Sequence, residues 1–352
     1  MGLTSPGFLA LMLVVAGAVP LGLAWWWSGR RSPGSRLRRG AGVFVACALA
    51  QLVAVTAAGV LLNDQYGFFA DFGDLAGHSD RVQPIATNGI ARPGQGRVTT
   101  ITVHGRASAT TAHVLVWLPP QYDRPGWRHH RFPVVEFLPG QPNFPNIDIQ
   151  RFHLVADSMA LIHRTGKPFV MVVPPIMIRP PKDTECTNVP GGPQALSWLT
   201  RDVPQAVGNH FRVQPPGPHW SMLGWSTGGF CAAKIMLTLP HDYAAAVGLG
   251  AYYQPDTHDV WPHLFSGSAG VRQRNSPQWL YHRHGLHGDH LLMIAGRQDP
   301  ETWPSTRRMI RATEGAPGVG FVAFHHGGHN YRDYAAYVPE ALRWLVRVGA
   351  LG

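Results

Sequence analysis

The sequence predicts a mainly parallel β-sheet covered by helices on both faces, preceded by two transmembrane helices. Two observations carry this prediction. Residues 1–62 hold two long runs without a charged side chain, whereas the remainder alternates short β-rich apolar runs with helical patterns. Such alternation is typical of an α/β fold, because each parallel strand needs a crossover connection. About 290 residues is a common size for one domain of this class.

The two N-terminal runs are long enough to cross a bilayer. Pro6–Trp27 and Gly40–Leu62 are apolar and uncharged, and about 22 helical residues span the roughly 30 Å hydrocarbon core. The connecting segment Ser28–Arg39 carries five arginines, so the positive-inside rule makes it cytoplasmic. Everything after Asn63 is then expected outside the cytoplasm. A signal peptide in the first run and a single membrane anchor are the alternatives.

The predicted organisation has three parts. Residues 1–62 form a membrane anchor, 63–96 a juxtamembrane linker, and 97–352 the α/β domain. The formal net charge is +10, but five of these charges lie in the cytoplasmic segment. The others are spread without a basic run, which favours a solvated surface and argues against nucleic acid as a partner.

The α/β domain is predicted to open with an antiparallel hairpin. Val98–Gly105 and Ala112–Leu118 are β-rich runs with alternating polarity, separated by a polar turn. Phe132–Leu138 is a compact apolar strand that ends at a Pro-Gly turn, and Asp148–Arg164 has a helical pattern.

The later elements continue the alternation of strands and helices. In chain order they are strand Phe169–Pro174, helix Ser197–Phe211, an apolar strand and small-residue helix within 219–237, strands Tyr243–Leu249 and His290–Ala295, helix Trp303–Thr313, strand Gly320–His325 and an amphipathic helix Tyr334–Val348.

A G-x-S-x-G motif, Gly224–Gly228, lies between the strand and the helix of residues 219–237. In that context the motif predicts a serine, Ser226, held in a strained turn at the edge of a parallel sheet. Its hydroxyl would lie near a helix N-terminus, where free N–H groups favour a developing negative charge. The alternative is a glycine turn with a passive serine.

A serine hydroxyl becomes a nucleophile when a base removes its proton and an acid orients that base. Asp299 follows the strand that begins at His290, and His329 follows two glycines after the next strand. Loops after strands of a parallel sheet meet at one edge, so the sequence predicts a Ser226–His329–Asp299 triad. Asp299 could instead cap the next helix. The alternative residues in these loops are Glu301, His325 and His326.

Two backbone N–H groups are expected to stabilise the oxyanion of an ester intermediate. One belongs to Thr227, directly after the serine. The other is assigned to Gln141, in the turn that Gly140 opens after the Phe132–Leu138 strand, because Pro142 has no N–H to donate.

The chain has three cysteines, and two of them could pair. Cys47 lies in the second apolar run and is interpreted as inert packing. Cys186 and Cys231 both fall in the part predicted to be exported, where disulfides are allowed. Sequence does not fix the distance between them, so the pairing stays open.

Histidines cluster in one segment without a compact zinc-binding pattern. The cluster favours a polar loop over a metal site, and its members are His282, His284, His287, Asp289 and His290.

These motifs make the chain similar to the esterase D / antigen 85 (mycolyltransferase-like) group of α/β-hydrolases, from Val98 to the C-terminus. The segments that carry the resemblance are Phe137–Gly140, Asp183–Cys186, Trp198–Val203, Gly224–Gly229, Ala295–Asp299 and Gly327–Asn330. The resemblance implies the α/β-hydrolase fold, a serine nucleophile, acyl-ester chemistry without a cofactor, and oxyanion amides at Gln141 and Thr227.

Two positions depart from that group, which often has methionine where this chain has Thr227. The antigen 85 branch uses a glutamate acid, whereas this chain offers Asp299. The predicted function is therefore an extracytoplasmic, membrane-anchored serine esterase whose substrate is an acyl ester, including a lipid or envelope glycolipid. A cell-envelope acyltransferase and a non-catalytic envelope protein on a hydrolase scaffold are the alternatives.

Overall fold

The computed structural model describes residues 6–28, 36–66, 94–142, 144–180, 182–256, 260–325 and 328–351. The chain divides into two compact units, Met1–Gln83 and Pro84–Gly352. Most of the predicted linker, the greater part of the arginine-rich segment, and His326 lie outside the described residues.

The described part of the first unit contains helices α1 (Pro6–Ser28) and α2 (Arg36–Tyr66), which contact each other. They include the two runs predicted to span a membrane. Within the described ranges, no helix combines the length and the apolar character that crossing a membrane requires. Cys47 was expected to be packed, but it is a free cysteine with an exposed side chain.

The described residues of the second unit form one eight-stranded sheet. Its strands are β1 (Arg97–Gly105), β2 (Thr110–Leu118), β3 (Val134–Leu138), β4 (Val170–Val173), β5 (Gly217–Trp225), β6 (Tyr243–Leu249), β7 (His290–Gly296) and β8 (Val319–Phe324). The α-helices of five or more residues are α3 (Pro145–Arg151), α4 (Leu154–Thr165), α5 (Val203–His210), α6 (Thr227–Thr238), α7 (Ala269–Arg274), α8 (Pro277–His284), α9 (Trp303–Ala312), α10 (Tyr331–Ala335) and α11 (Val338–Arg347). A three-residue helical turn, Ala195–Ser197, and a π-helical turn, Trp198–Asp202, directly precede α5.

The strand order β1-β2-β4-β3-β5-β6-β7-β8 places the predicted hairpin at one edge. β1 pairs antiparallel with β2 and β2 antiparallel with β4, whereas the pairs from β4 to β8 are parallel. Leu138 pairs with Gly224, and Trp225 with Leu249. The carboxyl ends of β3, β5 and β6 are therefore level, and the loops that follow them meet.

Two apolar cores cover the two faces of this sheet. Val134 and Leu138 of β3 belong to one core, and the intervening Val135 and Phe137 belong to the other, as expected because successive side chains of a strand point to opposite faces. The first core contains residues of α5 and α6, and the second contains residues of α4 and α11. The predicted mainly parallel sheet with helices on both faces is confirmed.

Two predicted helices are wrong as single elements. The helix predicted over Asp148–Arg164 is divided between α3 and α4, because His153 has a left-handed φ of 49° while Phe152 beside it is fully buried. The final predicted helix is also divided, since α11 restarts with Pro339 in its first turn. Proline is favoured there because that turn leaves its N–H groups unbonded in any case.

Candidate active site

Ser226 lies in the turn between β5 and α6 with a φ of 52°. A positive φ is costly for a residue with a Cβ and is found where the surrounding structure imposes it. The turn also depends on its glycines. A Cβ on Gly224 would collide with the Gly228 carbonyl, and one on Gly228 would collide with the Leu138 carbonyl. The motif thus forms the tight strand–serine–helix turn that its sequence predicts.

The structure brings the three predicted triad residues together. The Nε2 atom of His329 lies 2.9 Å from Ser226 Oγ, and its Nδ1 atom lies 2.8 Å from Asp299 Oδ2. Because a carboxylate can only accept, Nδ1 carries the proton and donates to Asp299. Nε2 is then the free acceptor for the serine proton, which is the geometry that activates a hydroxyl. Of the competing histidines, His329 occupies this position.

Asp299 is 1% exposed and surrounded by donors. Its Oδ1 accepts from the backbone N–H groups of Glu301 and Thr302, at 3.0 and 3.1 Å. Its Oδ2 accepts from the hydroxyls of Thr302 and Tyr334, each at 2.6 Å. Burial alone would raise the pKa of Asp299, but the hydrogen bond and charge of His329 and these hydroxyls lower it to about 2. The carboxyl is therefore ionised at neutral pH.

Two further side chains contact the His329 ring. Trp225 stacks on it, with ring centroids 4.3 Å apart and an interplanar angle of 20°. Glu301 Oε2 lies 3.7 Å from Nε2. Glu301, the alternative acid of the sequence analysis, thus lies beside the nitrogen that contacts Ser226, whereas Asp299 holds the orienting position.

One predicted oxyanion residue, Thr227, directly follows Ser226, and the other, Gln141, follows Gly140, which packs against the serine. Thr227 opens α6, so its N–H belongs to the first turn, where backbone donors lack helical partners. Gly140 passes so close that a Cβ there would lie 3.2 Å from the Ser226 Cβ. Gln141 follows in an exposed turn. The structure thus brings both predicted segments next to the serine.

Asp148, on α3, is a buried carboxyl that the sequence analysis did not single out. Its Oδ1 accepts from the Tyr331 hydroxyl at 2.7 Å, and its Oδ2 is buried without a hydrogen bond of ordinary geometry to a described residue. Burial raises the pKa of Asp148 to about 7, although the Tyr331 hydroxyl, the Gly140 N–H and Arg151 oppose the rise. Tyr331 begins α10, two residues after His329, so the pair joins α3 to the histidine loop.

Cys186 and Cys231 form a disulfide with a Cα–Cα distance of 5.7 Å. It ties the loop after β4 to α6, the helix that follows Ser226. Lys234, a turn further along α6, is buried and donates to the carbonyls of Glu185 and Cys186 and to the Thr187 hydroxyl. The same loop is therefore held to α6 by a covalent bond and by three hydrogen bonds.

That loop is also connected to Thr227, the residue after Ser226, through the Tyr252 side chain. The Tyr252 hydroxyl lies 2.6 Å from Glu185 Oε1 and 3.2 Å from Thr227 Oγ1. Burial and the charge of Asp183 raise the pKa of Glu185 well above its usual range. Thr227 was predicted as an oxyanion residue through its backbone N–H, and Glu185 lies in a segment that carried the family resemblance. The contact of Tyr252 with both side chains was not predicted.

The histidine-rich segment, residues 282–290, lies within the described part of the chain. Among the described residues, no group of three or more histidine, cysteine, aspartate or glutamate side chains could hold a metal ion. Asp289 accepts instead from the His241 backbone N–H at 3.2 Å.

The sheet order and the serine turn define the α/β-hydrolase class. The chain is similar to S-formylglutathione hydrolase from Agrobacterium tumefaciens, with a TM-score of 0.63, 18% identity, and coverage of 75% of this chain and 100% of that one. It is similar to the fluorophosphonate-binding serine hydrolase F of Staphylococcus aureus, with a TM-score of 0.60, 16% identity, and coverage of 71% and 98%. For MPT51 of Mycobacterium tuberculosis the TM-score is 0.55, with 14% identity and coverage of 72% and 99%. At these identities the likeness shows the fold.

Residues 107–345 match the Esterase family, and the chain belongs to this family. A curated relative, an uncharacterized protein of Corynebacterium glutamicum, is 22% identical over 255 residues, which is 67% of this chain and 57% of the relative. The match thus spans little more than half of that relative's length. The resemblance to the esterase D / antigen 85 group is confirmed in family and fold.

Proposed function

We propose that this protein is a serine esterase that cleaves carboxylic esters through an acyl-enzyme on Ser226. The observation that carries the proposal is the continuous hydrogen-bonded chain from Ser226 Oγ through His329 to Asp299, with distances of 2.9 and 2.8 Å. An ionised acid, an oriented imidazole and a hydroxyl on a strained turn are the parts that acyl transfer requires.

In the acylation step His329 Nε2 takes the Ser226 proton while Oγ attacks the ester carbonyl. The N–H groups of Thr227 and Gln141 stabilise the oxyanion of the tetrahedral intermediate. Asp299 holds Nδ1–H and offsets the charge of the imidazolium. Nε2 then gives the proton to the alcohol oxygen, and the C–O bond breaks.

In the deacylation step water enters where the alcohol left. His329 Nε2 removes a proton from the water, and hydroxide adds to the acyl carbon. As the second tetrahedral intermediate collapses, the bond from the acyl carbon to Ser226 Oγ breaks, His329 Nε2 donates its proton to Oγ, and the acid is released. An acceptor hydroxyl in place of water would turn the same intermediate into an acyltransferase.

We also propose that the catalytic unit acts outside the cytoplasm on an acyl ester, with membrane-associated lipids as the substrate class. The Cys186–Cys231 disulfide supports an oxidising compartment. The apolar, uncharged runs Pro6–Trp27 and Gly40–Leu62 support a place at the membrane.

The test is hydrolysis of p-nitrophenyl esters by the full chain and by Ser226→Ala. The matched control is Ser221→Ala, because Ser221 is a buried serine of β5, the strand that leads to Ser226, and its hydroxyl has no hydrogen bond to a described residue. We expect turnover in the wild type and in Ser221→Ala, with a loss of at least a thousandfold in Ser226→Ala.

A fluorophosphonate probe followed by peptide mass spectrometry identifies the nucleophile directly. Labelling of the peptide that contains Ser226 without ester turnover would favour acyl transfer to a hydroxyl acceptor. Absence of both labelling and turnover would favour the non-catalytic scaffold and overturn the proposal.

A further inference from the structure

Glu301 places an acidic group beside the atom that handles the leaving alcohol. Its Oε2 lies 3.7 Å from His329 Nε2, and its side chain is 50% exposed, so it is open to a bound molecule. Its backbone is held by the hydrogen bond from its own N–H to Asp299 Oδ1. The side chain therefore projects from a fixed point of the loop after β7.

No arginine or lysine in the described part of the chain forms an ion pair with this carboxylate. Among those residues the ion pairs of Glu301 are limited to the contact with His329. The nearest basic residue in that loop, Arg297, has its guanidinium over the Trp303 ring, 5.8 Å from the centroid. The charge of Glu301 is therefore available to a ligand.

The chemistry of the triad fixes which part of the substrate comes to this charge. His329 Nε2 must donate a proton to the departing oxygen or sulfur, so that atom lies within hydrogen-bond reach of Nε2, at about 3 Å. A charged group two carbons further along the alcohol can then reach a carboxylate that itself lies 3.7 Å from Nε2. The acyl portion is bonded to Ser226 and leaves in a later step.

We propose that Glu301 selects esters and thioesters whose alcohol or thiol portion carries a positive charge near the reacting oxygen or sulfur, as in ammonium-ethyl esters. The inference rests on the proposed function, since it assigns His329 Nε2 as the donor to the leaving group. An anionic leaving portion meets a like charge at the same place and is disfavoured.

The experiment compares three thioesters that share an acetyl group and differ in charge two carbons from sulfur. They are acetylthiocholine, its neutral carbon analogue S-(3,3-dimethylbutyl) thioacetate, and the anionic S-acetyl-3-mercaptopropionate. Released thiol gives kcat/KM for each with the full chain. We expect kcat/KM for the cationic thioester to exceed that for the neutral one by about fivefold to tenfold, and kcat/KM for the anionic thioester to be the lowest. The preference should shrink at high salt, because exposed charges are screened.

Glu301→Gln should bring the cationic-to-neutral ratio to within about twofold of one, and Glu301→Lys should make the anionic thioester the fastest. Because the readout is a ratio between substrates, a general loss of activity cancels. The control Glu314→Gln removes the charge of an exposed glutamate in the turn before β8, at the opposite end of the strands from Ser226, and should keep the wild-type ratio.

A wild-type enzyme that hydrolyses all three thioesters without preferring the cation overturns this proposal and leaves the esterase proposal intact. So does a preference that persists in Glu301→Gln. Absence of turnover with every ester, together with equal rates for wild type and Ser226→Ala, is instead the failure of the proposed function.

Discussion

Asp299 and Asp148 are two buried carboxyl groups near the serine turn, and their pKa values are shifted in opposite directions. The pKa of Asp299 is lowered to about 2, whereas that of Asp148 is raised to about 7. Both side chains are almost inaccessible to solvent, but different causes prevail. At Asp148 burial outweighs the Tyr331 hydroxyl, the Gly140 N–H and Arg151. At Asp299 burial is outweighed by the hydrogen bond and charge of His329, with four further hydrogen bonds from Glu301, Thr302 and Tyr334.

The difference shows how one fold assigns two roles to the same side chain. A carboxylate with many donors keeps its charge in the interior, because hydrogen bonds to the charged form offset the loss of hydration. Asp299 can therefore orient His329. Where burial prevails, as at Asp148, the carboxyl keeps its proton up to about pH 7 and links two elements through a hydrogen bond. Asp148 connects α3 to Tyr331. The ring centroids of Tyr331 and Trp225 are 5.9 Å apart.

The largest expected effect comes from removing the charge of Asp299. In Asp299→Asn the amide group donates to Nδ1, so the proton moves to Nε2 and Ser226 faces a donor instead of an acceptor. We expect kcat to fall by about 10³- to 10⁴-fold with the fold retained, measured on p-nitrophenyl esters. Asp157→Asn, on α4, is the control. More than a tenth of the wild-type kcat in Asp299→Asn would show that Asp299 is not the orienting acid.

The raised carboxyls predict how stability depends on pH. Burial raises the pKa of Glu136 from 4.5 to about 8, as it raises that of Asp148. Above the unfolded pKa the folded state holds a proton that the unfolded state has lost, so the free energy of unfolding falls as pH rises towards 8. One such proton contributes about 1.4 kcal/mol per pH unit.

For Asp299 the sign is reversed. Its folded pKa is depressed, so its contribution to the free energy of unfolding is present above pH 4 and is lost as pH falls towards 2.

The test for Glu136 is reversible denaturation from pH 5 to pH 8. The free energy of unfolding should fall less steeply with pH in Glu136→Gln than in the wild type. Identical slopes would mean that Glu136 is ionised in the folded state.

A smaller effect is expected from removing the hydrogen bond between Tyr331 and Asp148. Tyr331→Phe removes the hydroxyl that bonds Asp148 and keeps the ring against Trp225. We expect kcat to fall about tenfold with little change in KM, because a shift of about 1 Å in the catalytic loops slows chemistry more than binding. Tyr243→Phe is the matched control. Tyr243 lies at the amino end of β6, and its hydroxyl is 3.5 Å from the buried carboxyl of Glu136. Equal kcat values for the two variants would contradict a positioning role.

The smallest effect is expected from removing one donor to Asp299 while leaving the others. Tyr334→Phe deletes the hydroxyl that donates to Oδ2, and the bonds from His329 and Thr302 remain. We expect kcat to fall about fivefold, in line with a hydrogen bond worth about 1 kcal/mol. The measurement compares steady-state kcat for Tyr334→Phe and Asp299→Asn. A fall in kcat as large in Tyr334→Phe as in Asp299→Asn would show that the other donors do not hold Asp299 ionised.

The sequence by itself determined the parts of the molecule that depend on near neighbours in the chain. Strand and helix periods predicted the alternating fold, and the glycines of Gly224–Gly228 predicted the turn at Ser226. The positions of Asp299 and His329 followed from one topological fact, that the loops after parallel strands share an edge. The parting of helices α3 and α4 at His153 was not predictable in this way, because the left-handed residue lies inside an unbroken helical pattern.

Tertiary structure decided what those residues touch. Tyr331 and Asp148 are 183 residues apart, and Cys186 and Cys231 are 45 apart, so no local pattern links them. The side of His329 that each acid occupies also follows from the fold, because Asp299 and Glu301 are two residues apart and either could reach the ring. The periods of strands and helices depend on neighbouring residues, so they can be recognised in the sequence. The charge of a buried carboxyl depends on its burial and on its hydrogen-bond donors, and these come together only when the sheet is complete.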